Sequence, residues 1–258
     1  MLTCANLAVG CYACIQALSE NYVGAMIAIL IAAGFDFADG LAARLLHAYS
    51  SVGKDLDSLA DMVSFGVAPG MMLFDFINRT QQMAAWSSPM IGKSFLFAAF
   101  IIPVFSALRL AKFNNDTRQT TSFIGLPVPA HALFWASLIY VLSLSTQETV
   151  ISGIFPQLIS FKLPGIPSLY MLLFLSFTAI LTSLLLVSEI PMFSMKMKSP
   201  SWTGNEIRYS LIIAAIALIV CFGFSGITLT ILLYLFLSVL NNGYNNGRTN
   251  SLGDSHSE

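Results

Sequence analysis

Charge is scarce in this chain. Lys and Arg number 12 and Asp and Glu 13 among 258 residues, 10% in all, where a soluble domain carries roughly 25%. That deficit excludes a water-soluble globular enzyme. A hydrophobic content of 56% and a mean hydropathy of +0.77 exclude a disordered or collagen-like chain. The net charge of -1 gives no reason to expect a nucleic-acid partner. Cysteine is scarce as well, and Cys4, Cys11, Cys14 and Cys221 all lie within apolar stretches. Cys11 and Cys14 have the C-x-x-C spacing of redox or metal sites, but no second pair or His lies nearby, and two small residues on a packed helix account for them. The first apolar run lacks a basic lead and a cleavage site, so it is not read as a signal peptide. What remains is an integral membrane protein.

A helix crosses a bilayer in about 20 mostly apolar residues. Eight such runs are legible, at residues 2–18, 22–46, 56–77, 93–112, 128–144, 168–188, 209–222 and 226–240, with only a weak break between the last two. They are apolar on all sides and lack the alternation of barrel strands, which predicts an all-α, polytopic transmembrane bundle. Arg44, Lys54, Arg109, Lys112, Arg118, Lys196, Lys198, Arg208 and Arg248 sort to one side, against Arg79, Lys93 and Lys162 on the other. The excess of basic residues places both termini in the cytoplasm. Residues 241–258, rich in Asn, Gly and Ser, read as a disordered tail. The connection at 145–167, with three prolines, is expected to pack over the bundle. No internal repeat is evident, which weakens the case for an inverted-repeat transporter.

The acids are not evenly spread. Asp36, Asp39, Asp55, Asp57 and Asp61 fall within 26 residues beside the second and third runs. A carboxylate at membrane depth costs several kcal/mol unless paired or bound to a cation. Asp36 and Asp39 share one helix face, as do Asp57 and Asp61. Asp55 is out of phase and reads as a solvated first-turn acid. A reversal between Arg44 and Gly53 would lay the two helices antiparallel, with the pairs facing one another. Four converging carboxylates without matching cations call for divalent metal, and hard oxygen ligands favour Mg2+ or Mn2+. Two such metals suit in-line displacement at phosphorus. Gly40 and Ala43 clear room for a ligand against the helix, Arg44 can grip a phosphate bidentately, and Gly53 starts the third helix without a side chain in the way.

The pattern Asp36-x-x-Asp39-Gly40-x-x-Ala43-Arg44, then eight residues, then Gly53-x-x-x-Asp57-x-x-x-Asp61 resembles the complete signature of the CDP-alcohol phosphotransferases. The resemblance implies an integral membrane enzyme with a six-helix core, usually homodimeric, that displaces CMP from a CDP-linked lipid by attack of an alcohol hydroxyl. The core would occupy residues 1–188, with about two additional helices in 189–240. Asp36, Asp39, Asp57 and Asp61 would hold a metal pair, Asp61 doubling as general base. Gly40, Arg44 and Ser50 would contact the nucleotide and diphosphate. Residues 57–69, Arg109-Leu-Ala-Lys-Phe-Asn114, Phe123-Ile-Gly-Leu-Pro-Val-Pro-Ala130 and Val187-Ser-Glu-Ile-Pro-Met-Phe-Ser194 are similar to the small bacterial and archaeal phosphatidylserine synthases. So is the opening Leu2-Thr3-Cys-Ala-Asn6-Leu7, where Thr3 and Asn6 would line the nucleotide site. The chain begins almost at that motif, without the short basic lead-in usual to the group.

The substrates so implied are CDP-diacylglycerol and L-serine, met at the cytoplasmic face of the cell (inner) membrane. Arg109 at the end of the fourth helix is the first candidate for the serine carboxylate, with Lys112 and Asn114 behind it; positive-inside anchoring explains these residues as well. His131 is expected to be packed or to face headgroups. Two rivals remain. A phosphorylated acceptor such as glycerol 3-phosphate or inositol phosphate would call for a denser basic pocket. A cation transporter would leave Gly40, Ala43 and Arg44 without a role.

Overall fold

The computed structural model describes residues 1–47, 50–83, 89–115, 123–146, 168–192 and 205–254. Its elements in order are α1 (Leu2–Leu18), α2 (Tyr22–Leu45), α3 (Ser51–Asp61), a π turn (Met62–Val67), α4 (Ala68–Met83), α5 (Pro89–Asn115), β1 (Phe123–Ile124), α6 (Val128–Thr146), α7 (Ser168–Val187), β2 (Pro191–Met192), α8 (Glu206–Phe222) and α9 (Ser225–Asp254). Among the described residues, four helices are long and apolar enough to cross a membrane, and three shorter ones are apolar. This is an all-α polytopic membrane bundle. Phe37, Phe97, Phe100, Phe174 and Phe177 are exposed on its outer faces, as lipid rather than water would require.

Helix α3, the π turn and α4 form one continuous helix along the axis of the fold. It begins at Ser51, earlier than hydropathy places it, because Ser50 caps the polar first turn by accepting a hydrogen bond from the Gly53 N–H at 3.0 Å. Pro69 lies downstream; it has no N–H to donate, and its ring crowds the carbonyl one turn back. The helix accommodates it by widening, so that the Ala68 N–H reaches the Val63 carbonyl five residues back. Ser64, Phe65, Gly66, Ala68, Met72, Leu73 and Ile77 are all buried along this helix.

Small residues set how the neighbouring helices approach. Gly10 of α1 lies directly against Ser64, whose hydroxyl donates to the Asn6 carbonyl at 3.1 Å. Helix α5 runs antiparallel to the axial helix. A Cβ on Gly70 would lie 3.0 Å from Pro103, one on Gly66 would lie 3.1 Å from the Ser106 Cβ, and Asn114 Nδ2 donates to Ser58 Oγ at 2.7 Å. These three contacts fix a single register. At the far end, buried Asp75 accepts from the Tyr22 hydroxyl and from Arg79 Nε, each at 2.7 Å, and Arg79 also pairs with Glu20 at 2.5 Å.

The C-terminal pair joins the core through α6 and α9, where the Ser137 and Thr228 hydroxyls lie 2.6 Å apart. The break between α8 and α9 is a true turn, with Gly223 at φ +60°. Residues 241–254, expected from composition to be disordered, continue α9 as helix to Asp254. A helix already nucleated by an apolar stretch gains one hydrogen bond per added residue without paying nucleation again, so a polar extension can follow it. Arg118, Lys162, Lys196, Lys198 and most of the 145–167 connection lie outside the described residues.

Candidate active site

The signature acids come from two helices that meet just inside one end of the bundle. Asp36 and Asp39 ride the last turns of α2, and Asp57 and Asp61 ride α3. Carboxylate oxygens of Asp36, Asp57 and Asp61 all lie within 4.8 Å of one another. Asp39 turns towards α1, where it accepts a hydrogen bond from the Thr3 hydroxyl, and it remains close enough to act electrostatically on Asp36 and Asp57. Asp55 is exposed on another face.

Helix α1 closes the site. Thr3 bonds Asp39, and one turn on, fully buried Asn6 donates from Nδ2 to Asp61 Oδ1 at 3.0 Å. Ser64 holds the Asn6 main chain, and bare Gly10 lets the helices come this close. Asn6 is thus fixed by the turn that follows Asp61, a link that spacing alone does not reveal.

The donor set fits divalent metal. Three carboxylates converge, and among the described residues none of the four signature acids forms an ion pair with Lys or Arg. The buried Asn6 Oδ1 beside them has no hydrogen-bond partner. Like charges this close, and partly withdrawn from water, repel strongly unless a cation lies between them. All the donors are hard oxygens, which suits Mg2+ or Mn2+.

On the open side of α2, a Cβ added at Gly40 would meet nothing within 4 Å. Ala43 is half-buried nearby, and Arg44 folds back so that its Nε donates to the Gly40 carbonyl at 2.9 Å, leaving the guanidinium exposed at the rim. Ser50 and Gly53 take part in the α3 cap, so both have a structural task beside any contact with a nucleotide.

The basic and polar candidates on α5 separate. In the antiparallel register, buried Arg109 falls level with residues 62–63, and its guanidinium carbon lies 5.5 Å from the centre of the Phe113 ring. Lys112 turns away to the end of α7, with Nζ 3.3 Å from the Val187 carbonyl and 3.5 Å from Glu189. Asn114 ties α5 to α3: its side chain donates to Ser58 Oγ, and its carbonyl accepts from Lys54 Nζ at 2.9 Å. His131 is fully buried, with Nε2 3.0 Å from both the Thr182 hydroxyl and Trp135 Nε1.

Two stretches that are far apart in sequence are joined here. β1 pairs with β2 in antiparallel register, Phe123 opposite Met192 and Ile124 opposite Pro191. Gly125, at φ +76°, donates to the Ile190 carbonyl at 2.9 Å, and Leu126 donates to Leu185 at 3.0 Å. The clasp they form abuts the end of α7, to which Lys112 is also bound.

The chain is similar to known proteins. The CDP-diacylglycerol–serine O-phosphatidyltransferase of Bacillus subtilis is 37% identical over 129 residues, 50% of this chain and 67% of that one. The enzyme of the same name from Mycobacterium bovis is 32% identical over 227 residues, 84% of this chain and 69% of the other. That of Helicobacter pylori is 31% identical over 135 residues, and the match spans 52% of this chain and 53% of the Helicobacter one. Residues 1–159, which carry every signature acid, match the CDP-alcohol phosphatidyltransferase family, and the chain belongs to it.

Proposed function

We propose that this protein transfers the phosphatidyl group of CDP-diacylglycerol to the hydroxyl of L-serine, giving phosphatidylserine and CMP. The observation that carries the reading is the convergence of Asp36, Asp57 and Asp61 within 4.8 Å, with Asn6 aimed at Asp61. Family membership supports the phosphotransfer chemistry, and the activity for which the relatives are named supports serine as acceptor.

Asp36, Asp39, Asp57 and Asp61 would hold a pair of divalent ions, Mg2+ or Mn2+, whose chemistry is to neutralise the diphosphate and polarise the phosphorus under attack. The protein's own groups do the rest. The open strip at Gly40 and Ala43 admits the diphosphate against α2, with Arg44 at its rim. Asn6 Nδ2 fixes one oxygen of Asp61, so that the other can take the serine hydroxyl proton as the oxygen attacks the phosphatidyl phosphorus. The new O–P bond forms as the bond to the CMP oxygen breaks, and CMP leaves with the electron pair. Arg109, level with the residues that follow Asp61, receives the serine carboxylate, a pairing suited to a planar guanidinium. Lys112 and Asn114 act by holding α5 in place. The lipid tails lie in the bilayer, the site faces the cytoplasm at the cell (inner) membrane, and the working unit is a homodimer.

The test is CMP release by the purified protein supplied with Mn2+ or Mg2+, CDP-diacylglycerol and one alcohol at a time. Turnover with serine supports the proposal. Turnover with glycerol 3-phosphate or inositol phosphate but none with serine would replace the acceptor and keep the chemistry. Metal flux into liposomes without CMP release would favour transport instead.

A further inference from the structure

Most hydroxyls on these helices are occupied. Ser58, Thr80, Ser137, Ser143, Thr182 and Thr230 each donate to a main-chain carbonyl about one turn back. Ser106 does not. It is fully buried, and its Oγ has no hydrogen-bond partner, although an unmet polar group in a membrane core costs several kcal/mol. Its place in the fold sets it apart. Ser106 lies against Gly66, whose missing side chain leaves bare backbone opposite it, and Gly66 sits about one widened turn beyond Asp61. On its own helix Ser106 precedes Arg109 by three residues, so the two side chains share a face. An unmet acceptor therefore lies one turn deeper than the guanidinium, on the side of α5 that meets the helix carrying the acids.

An amino-acid acceptor has three polar groups to place. Its hydroxyl must reach Asp61, and its carboxylate goes to Arg109. Its ammonium, if buried beside them, needs an acceptor of its own, since a desolvated cation without a hydrogen bond is heavily penalised. We propose that Ser106 Oγ accepts a hydrogen bond from the ammonium group of the amino-acid acceptor and is a specificity-determining contact of the site. This rests on the reading of serine as acceptor. The hydroxyl distinguishes an amino acid from a hydroxy acid of the same length, a discrimination that Arg109 cannot make.

The test uses the full chain in lipid nanodiscs with Mn2+ and CDP-diacylglycerol. Steady-state kinetics with L-serine are measured for wild type, Ser106→Ala and Ser106→Thr. The inhibition constant of 3-hydroxypropionate, which keeps the hydroxyl and carboxylate and lacks the amine, is measured alongside. Ser106→Ala is expected to raise the serine KM about tenfold or more, the range for a hydrogen bond to a charged group, with a much smaller change in kcat. The 3-hydroxypropionate constant should hold within about twofold, and Ser106→Thr, which keeps the hydroxyl, should recover much of the serine KM. Melting without substrate gives an independent readout. Removing an unmet buried hydroxyl should leave the temperature unchanged or raise it, whereas a residue of purely structural value would lower it. Equal weakening of serine and 3-hydroxypropionate, or an unchanged serine KM, overturns the assignment. Wild-type protein that does not turn over serine at all overturns the acceptor reading beneath it, and that outcome is seen before any variant is made.

Discussion

Replacing Asn6 by Ala separates two roles for α1. The family resemblance implies that Asn6 lines the nucleotide, whereas the structure has it donating to Asp61 Oδ1 at 3.0 Å from a fully buried position. The substitution deletes a hydrogen bond to a charged group, worth about 1.5–3 kcal/mol, and leaves Asp61 free to rotate. If the bond serves to orient the base, kcat for CMP release falls about 10- to 100-fold while the KM for CDP-diacylglycerol changes little. Thr3→Val removes the corresponding bond to Asp39, which is only half-buried, and should cost less. The assay is initial-rate CMP release over a grid of CDP-diacylglycerol and serine concentrations, with melting curves to confirm folding. A loss confined to the CDP-diacylglycerol KM would refute the orienting role and return Asn6 to the nucleotide. A variant within twofold of wild type in both constants would refute both.

Asp61→Asn should lower CMP release by at least about 100-fold, since positioned acid–base groups contribute 10²–10⁴-fold; wild-type turnover would remove the general-base assignment. EDTA should abolish CMP release, and added Mg2+ or Mn2+ should restore it; activity that survives exhaustive chelation would contradict the metal reading. Arg79→Ala leaves the buried Asp75 carboxylate with the Tyr22 hydroxyl alone and should destabilise by about 1.5–3 kcal/mol in melting experiments. Glu20→Ala, at the exposed end of the same pair, should cost under about 1 kcal/mol. Gly125→Ala forces a Cβ to 2.7 Å from the Leu186 carbonyl at φ +76°, and should destabilise by about 1–3 kcal/mol.

Much of this fold is legible in the sequence because lipid simplifies it. Where water is absent, apolar length maps onto helices, and the expected starts at residues 2, 22, 128 and 168 coincide with those of α1, α2, α6 and α7. The acids are legible for a related reason: spacings of three and four put them on shared faces whatever the tertiary packing. The signal fails where structure comes from contacts between segments. The turn from Ser51 to Asp55 is polar and looks like loop until Ser50 is seen to cap it. Pro69 within an apolar run signals a departure from α geometry, but the run does not say whether the helix will kink, break or widen. The β1–β2 pairing spans some 70 residues, and two two-residue strands leave no periodicity to read. Lys112 and Arg109 look equivalent in sequence. Only the packing of α7 against α5 assigns the first to Val187 and Glu189, while the second is buried in the bundle.

The departures from regular structure lie close to the chemistry, and their cost has a common logic. The π turn begins one residue after Asp61, and of the glycines that let α1 and α5 approach, Gly10 faces it and Gly66 lies within it. A wider turn is poorer in hydrogen bonding than an α turn, and glycine in a helix is destabilising by roughly 0.5–1 kcal/mol relative to Ala. In return, α1 comes near enough for Ser64 to hold the Asn6 main chain while the Asn6 side chain holds Asp61. α5 comes near enough to set Ser106 against Gly66 and Arg109 one turn above it. Restoring a side chain at Gly66 therefore separates stability from function. Gly66→Ala supplies a better helix former but places a methyl 3.1 Å from Ser106 and from Met62. α5 must then give way by a few tenths of an ångström at the point where it carries Ser106 and Arg109. The expected result is a protein that still folds, with a serine KM raised more than that for CDP-diacylglycerol. Equal effects on both substrates would mean that the close approach of α5 serves packing alone.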